Sequence, residues 1–288
     1  MELKTILDRL HAARSAQHLA NDPLSFCHRY SDPADREVAA VIAAAFAYGG
    51  IKIILRTLES IFSELGPSPR TYVESFSPVQ SLKTFSGFKH RFNDGRDLVA
   101  LLWAVRLMVE HAGSVNKFFL RFHDTSAKDV TTALNGYSSA VLALDYKPIF
   151  GNAVAPAGSH FPFLFPSPAA GSACKRLCMF LRWVVRPADG IDLGIWRGVS
   201  PSQLVIPVDT HISRICTYLG FTCRTSADWR MAQEITAALR RLDPADPVKY
   251  DFSLAHLGIS EGCKGTDRLR CLACAIKDIC PQTAMETT

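Results

Sequence analysis

Ser31-Asp32-Pro33-Ala34-Asp35-Arg36-Glu37-Val38-Ala39-Ala40-Val41-Ile42-Ala43-Ala44-Ala45-Phe46-Ala47-Tyr48-Gly49-Gly50 holds the start, body and stop of one helix. An aspartate followed by proline marks a helix start: the carboxylate accepts from free backbone N–H groups, and proline has no N–H to leave unpaired in the first turn. From Glu37 to Tyr48 the run is apolar on all sides, so the helix is expected to be buried. Gly49-Gly50 ends it. A helix without a solvent face needs cover, and the flanking sequence supplies it at helical spacing: Leu3, Ile6, Leu7 and Leu10 on one side, Leu55, Leu58, Ile61, Phe62 and Leu65 before the Gly66-Pro67 stop on the other. Further helices are expected over 97–110, 114–121, 127–142, 174–185, 208–219, 228–241 and 249–257. No alternating strand pattern of comparable strength appears, and the fold class read from the sequence is all-α.

Two stretches break the helical rhythm. Residues 145–172 hold five prolines and four phenylalanines, including Phe161-Pro162-Phe163-Leu164-Phe165-Pro166, and read as a long loop with its own apolar contacts. A second irregular segment, 187–207, carries Gly190, Gly194, Gly198 and Pro201.

With 48% hydrophobic and 20% charged residues in a chain of 288, the composition excludes disordered and fibrous classes. The longest apolar run, Val38 to Ala47, is about half of the ~20 residues that span a bilayer. Met1-Glu2-Leu3-Lys4 opens an amphipathic helix rather than a signal peptide, so a cytoplasmic protein without a membrane partner is expected. A net charge of +5 is compatible with a polyanionic partner without requiring one. The nine cysteines are then mostly reduced thiols, and clustering points to metal ligation or catalysis.

Four of them do cluster. Cys263, Cys271, Cys274 and Cys280 form a C-x7-C-x2-C-x5-C array followed by Pro281. Four thiolates on a short segment can close around one tetrahedral zinc ion or ligate the irons of a [4Fe-4S] cluster. Zinc sites usually pair two short hooks, and only Cys271-Leu272-Ala273-Cys274 is one; the uneven spacing leans toward iron and sulfur. Cys27, Cys174, Cys178, Cys216 and Cys223 lack such spacing and are assigned no chemistry; Cys174 and Cys178, at i and i+4, could face a site together but read first as small buried hydrophobes on a helix.

Pro168-Ala169-Ala170-Gly171-Ser172-Ala173-Cys174-Lys175-Arg176 is a turn running into a helix, which puts Lys175 and Arg176 in its first turn. Backbone N–H groups there already favour an anion, so a cation is solvated, paired or functional. Thirty-four residues after Lys175, the apolar run Leu204-Val205-Ile206-Pro207-Val208 ends in Asp209-Thr210-His211. Asp209 caps the next helix on the plain reading. Capping also holds a carboxylate rigid and ionised, ready to stabilise nearby positive charge.

Pro207-Val208-Asp209-Thr210-His211-Ile212-Ser213-Arg214 with the four-cysteine tail resembles the helix-hairpin-helix DNA glycosylases of the endonuclease III type. Their essential aspartate lies in a V-D-T-H stretch, and their C-x6-C-x2-C-x5-C tail binds [4Fe-4S]; the first gap here is one residue longer. The whole chain also resembles a conserved bacterial family related to that helix-hairpin-helix (HhH-GPD) superfamily, through Gly171-Ser172-Ala173-Cys174-Lys175-Arg176 and Phe180-Leu181-Arg182-Trp183. The L-P-G-V-G-x-K hairpin that carries the lysine of endonuclease III is not present, and the longer lysine-to-aspartate separation is similar to that of archaeal 8-oxoguanine DNA glycosylases.

The resemblance implies two helical lobes flanking a cleft, residues 36–185 against 1–35 with 186–288. A monomer would then bind duplex DNA with a damaged base flipped into the cleft. It implies base-excision repair: Lys175 attacks C1′ and forms a Schiff base, Asp209 assists its deprotonation and stabilises developing charge, and an AP-lyase step nicks the strand. It places Cys263, Cys271, Cys274 and Cys280 around a structural [4Fe-4S] cluster, with Lys264, Arg268 and Arg270 between the first two ligands facing phosphate. Arg176 joins them as a DNA contact.

Two other readings stay open on the residues alone. One is a DNA- or RNA-binding protein without activity, in which the cluster is structural and Lys175 and Arg176 touch only phosphate. The other is a zinc-ribbon-like interaction protein, which explains the tail but not Asp209. Trp103, Trp183, Trp196, Tyr48 and the phenylalanines of 161–165 are core residues first and base-stacking candidates second.

Overall fold

The structure is a computed structural model that describes residues 2–13 and 16–283. Its α-helices in chain order are α1 (Leu3–Ala12), α2 (Pro33–Phe46), α3 (Ile51–Leu65), α4 (Pro69–Ser75), α5 (Pro78–Thr84), α6 (Gly95–Ala112) and α7 (Val115–Leu120). There follow α8 (Thr131–Leu142), α9 (Lys147–Phe150), α10 (Lys175–Val185), α11 (Thr210–Tyr218), α12 (Trp229–Leu242), α13 (Asp251–Ile259) and α14 (Arg268–Ala273). The strand content described is one antiparallel pair, β1 (Lys89–His90) with β2 (Asn93–Asp94). The protein is mostly helical, and no described helix is long and apolar enough to cross a membrane.

Helix α2 is the hub. Asp32 caps it by accepting from Ala34 N at 2.7 Å, and Pro33 sits in its first turn. Every residue from Glu37 to Phe46 is buried, against the 3₁₀ turn Pro23–Arg29 on one side and α10 on another, with α3, α4 and α6 completing the cover. A single cluster of buried side chains runs from Ile6 to Ile276 through both segments expected as lobes. Burial of this extent is the main favourable contribution to folding, at about 25 cal/mol per Å² of apolar surface.

The proline-rich stretch is less open than its composition suggests. Within 145–172 lie α9 and the 3₁₀ turns Phe161–Leu164 and Pro168–Ala170, and Phe161, Leu164 and Phe165 are core residues. Short helices α4, α5, α9 and α14 went unread in the sequence because each is too brief to display a helical period. Trp196 and Trp183 are buried, and Trp103 is partly buried with its indole N–H donating to the Asp145 carbonyl. Phe163 is the exposed member of its group.

Glu37 places a carboxylate within the buried stretch of α2. The Glu37 carboxylate accepts from the N–H groups of Val115 (3.0 Å) and Asn116 (2.8 Å), the open first turn of α7, and from the Trp196 indole at 2.7 Å. Burial pushes its pKa up while these bonds oppose the shift. Glu37→Ala should lower stability by about 3 kcal/mol, because buried donors lose their acceptor, and Glu37→Gln by less. Urea denaturation followed by circular dichroism tests both; an alanine variant as stable as the parent would contradict the assignment.

Candidate functional site

Lys175 is the first residue of α10, and the turn before it is held from outside. Ser172 bridges Asp228, and the Trp229 N–H donates to the Gly171 carbonyl at 3.2 Å, so the start of α12 fixes this turn. Cys174, directly before the lysine, is buried with φ +48°, a left-handed conformation unusual for a residue with a Cβ. Strain at one position persists where the surroundings over-determine it. Here it sets the angle at which α10 leaves the turn and Lys175 leaves α10.

Asp209 is delivered by a buried extended run, Leu204 to Val208. Its Oδ1 accepts from the N–H groups of His211 and Ile212, each at 2.9 Å, and so caps α11. Its Oδ2 lies 3.6 Å from the Lys175 Nζ. One oxygen holds the carboxylate and the other faces the amine, so capping and pairing coexist in one side chain. The pair is partly open, with the lysine side chain 35% and the aspartate 21% exposed.

Both residues line a cavity of about 380 Å³. That is the size of a ligand site, typically about 300–1,000 Å³. Its walls come from both expected lobes: Ala47, Gly49, Gly50, Ile51 and Met179 from one, Pro207, Ile212, Ala255 and Ile259 from the other. The sequence reading gave no site role to six further polar members, Asn21, Asp22, Arg182, His211, Asp251 and His256. It also missed the role of Trp183, whose indole N–H is buried without a hydrogen-bond partner among the described residues. Arg182 gave a readable signal, an arginine in the apolar run Phe180-Leu181-Arg182-Trp183, which can be buried only if it is paired.

Arg182 is paired. Its Nη1 donates to Asp251 Oδ2 at 2.6 Å and its Nε lies 3.3 Å from Asp192 Oδ1. Arg186, one turn on, holds Asp192, Asp189 and Asp246. Burial pushes the Asp251 carboxyl up to about 6; Arg182 opposes the shift and the Asp209 charge adds to it. Asp22 is likewise raised by burial, opposed by its bond from Leu24 N–H and by Arg182 and Lys175. Helices α11 and α13 meet so closely that a Cβ on Gly258 would lie 2.2 Å from His211 Nδ1.

The tail folds back onto α11. Cys263 N–H donates to the Leu257 carbonyl at 2.9 Å, Arg214 Nη2 to the Cys263 carbonyl at 2.5 Å, and the Tyr218 hydroxyl to the Lys264 carbonyl at 2.9 Å. Cys263, Cys271, Cys274 and Cys280 all line one small cavity of about 20 Å³, and none is in a disulfide. Burial raises the thiols of Cys271, Cys274 and Cys280, with the neighbouring cysteines adding to the shift. Among the described residues no group of three or more His, Cys, Asp or Glu is arranged to hold a metal ion. The four cysteines that line this cavity offer sulfur, the donor type that iron–sulfur and zinc sites take.

The expected phosphate contacts divide. Lys264 and Arg268 are exposed; Arg270 is exposed as well, but its guanidinium donates to the Glu261 carbonyl at 2.8 Å and lies near Asp267. Arg176 corrects the sequence reading. It is buried, donates to the Ala45 carbonyl at 2.7 Å and to the Phe163 carbonyl, and stacks on the Phe163 ring at 4.0 Å. Next-door residues in a first turn point about 100° apart, so with Lys175 facing the cavity Arg176 turns inward. It ties α10 to the end of α2 and cannot reach a phosphate.

With this geometry in place, the comparisons add the family. A family described as protein of unknown function (DUF2400) matches residues 22–260, and the chain belongs to it. The matched region takes in Lys175, Asp209 and every residue of the cavity walls except Asn21, and stops short of the four-cysteine tail. No curated protein and no solved structure matches.

Asp251 yields a pH test. Its carboxyl titrates at about 6 in the folded chain and about 3.9 when unfolded. The folded state therefore holds its proton more tightly, a contribution fully present below about 3.9 and lost as pH rises through about 6. Asp251→Asn should remove this slope, so that wild type loses stability relative to the variant between those values. Denaturant midpoints measured across pH 4 to 7 check it; a constant difference would refute the assignment.

Proposed function

We propose that the protein is a DNA base-excision glycosylase with AP-lyase activity, related to the helix-hairpin-helix superfamily, that accepts a damaged base flipped from duplex DNA into the cavity of Lys175 and Asp209. The observation that carries this reading is the 3.6 Å approach of the Lys175 Nζ to Asp209 Oδ2 on the wall of a ligand-sized cavity. An amine must lose a proton before it can attack carbon, and Asp209 Oδ2 is the base held beside it. With its ammonium proton already on Asp209, the neutral amine bonds C1′ as the base departs with the electrons of its glycosidic bond. The C1′–O4′ bond then breaks, O4′ taking a proton relayed from the adduct nitrogen through Asp209, which leaves a protonated Schiff base; β-elimination removes a C2′ proton and breaks the C3′–O bond. The capping N–H groups of His211 and Ile212 keep the carboxylate fixed while positive charge develops on the sugar.

Cys263, Cys271, Cys274 and Cys280 would hold a [4Fe-4S] cluster in this reading. Bound there, the cluster supplies a rigid crosslink that presents Lys264 and Arg268 to the DNA backbone. The tail's bonds to Arg214 and Tyr218 of α11 couple that surface to the Asp209 cap.

Borohydride reduction with abasic duplex DNA should trap a covalent complex that Lys175→Ala abolishes. Asp209→Asn keeps an oxygen for the cap, so it should bind DNA normally and lose about 10²–10⁴-fold in turnover. Trapping that survives Lys175→Ala would favour a nucleic-acid-binding protein without this chemistry. Anaerobically purified protein should be brown with about four irons per chain, and Cys→Ser at any of the four positions should bleach it. Colourless protein with one zinc would replace the cluster with a zinc site.

A further inference from the structure

Three carboxyls line the cavity, and two of them are committed. Asp209 faces Lys175 and caps α11; Asp251 is buried and clamped by Arg182 at 2.6 Å. The third, Asp22, lies between the 3₁₀ turns Ala16–Asn21 and Pro23–Arg29. It is part-exposed, lines the same cavity, and has no cationic partner within ion-pair distance among the described residues. Its Oδ1 accepts from Leu24 N–H at 2.8 Å, which fixes the side chain. Pro23 follows directly and holds the backbone.

From this placement we propose that Asp22 is a further catalytic residue of the site, the acid that protonates the departing base. The inference rests on the glycosylase reading above, which leaves the leaving group without a proton donor: the proton that Asp209 takes from Lys175 is needed on O4′ when the sugar ring opens, so none remains for the base. In the completed step the Asp22 O–H bond breaks and a nitrogen of the base takes the proton. The electrons of the glycosidic bond go to the base, and the lysine nitrogen bonds C1′. Water then reprotonates Asp22. The dense protein around it raises its carboxyl, despite the pull of Arg182 and Lys175, and so favours the proton-bearing form that an acid needs. His211, the nearest alternative donor in sequence to Asp209, has its Nδ1 occupied by Arg214 at 3.3 Å and packs against Gly258.

The step is separable from the rest of the chemistry, because an abasic site has no base to release. Wild type, Asp22→Asn and Asp22→Glu should be compared on abasic duplex and on duplexes carrying 8-oxoguanine, thymine glycol or uracil. Asparagine keeps the acceptor for Leu24 N–H, so the turn should stay folded, which thermal melting verifies. Asp22→Asn should lose about 10²-fold or more in base release yet change abasic-site cleavage by no more than about threefold, and Asp22→Glu should regain part of the loss. Equal losses on both substrates, or none on either, would overturn the role while leaving the Lys175 reading intact. Wild type that cleaves abasic duplex but releases none of the three bases would also overturn it. Wild type that neither cleaves nor traps abasic DNA would overturn the glycosylase reading itself.

Discussion

The contact between Arg182 and Asp251 is the constraint on which the site depends. Arg182 lies two turns along α10 from Lys175, and Asp251 begins α13, the helix that packs on α11 behind Asp209. A guanidinium and a carboxylate shut away from water are costly apart, commonly about 3–5 kcal/mol when one partner is removed. The two helices are therefore held at one distance, and the lysine and aspartate they position inherit it. Arg186 and Asp192 extend the same charge network into the irregular segment 187–207, which explains how a stretch with three glycines is held in place as it leads to Asp209.

Helix starts do the rest of the positioning. Lys175 opens α10 after a strained Cys174, and Asp209 closes the open end of α11 with one carboxylate oxygen. The backbone fixes where each side chain starts, and the capping bonds hold the Asp209 carboxylate further, which suits a group that must orient the amine beside it. The aspartate helix also receives the tail through Arg214 and Tyr218. In the proposed function, docking of the tail on DNA and alignment of the carboxylate are then parts of one rigid body.

How much of this was legible in sequence varies by physical cause. The buried helix α2 was plain because its cap, proline, apolar body and glycine stop all agree. The meeting of Lys175 and Asp209 was expected from the glycosylase resemblance, which gives each a role, together with their places at two helix starts, and the structure brings them together. Arg176 was misread because adjacency in sequence is not adjacency on a helix. Asp22 and Asp251 stayed hidden since their meaning lies in what packs around them: Asp251 sits 69 residues from Arg182, and no local pattern announces the pair. The short helices and the β1–β2 pair were invisible for lack of length.

The central claim is that the amine of Lys175 carries the chemistry, and locating the bond it forms tests that most directly. Full-length protein reduced with borohydride on abasic duplex, then digested and mapped by tandem mass spectrometry, should bear its deoxyribose adduct on Lys175. An adduct on another lysine, such as Lys264 on the exposed tail, or protein recovered without any adduct, would contradict it.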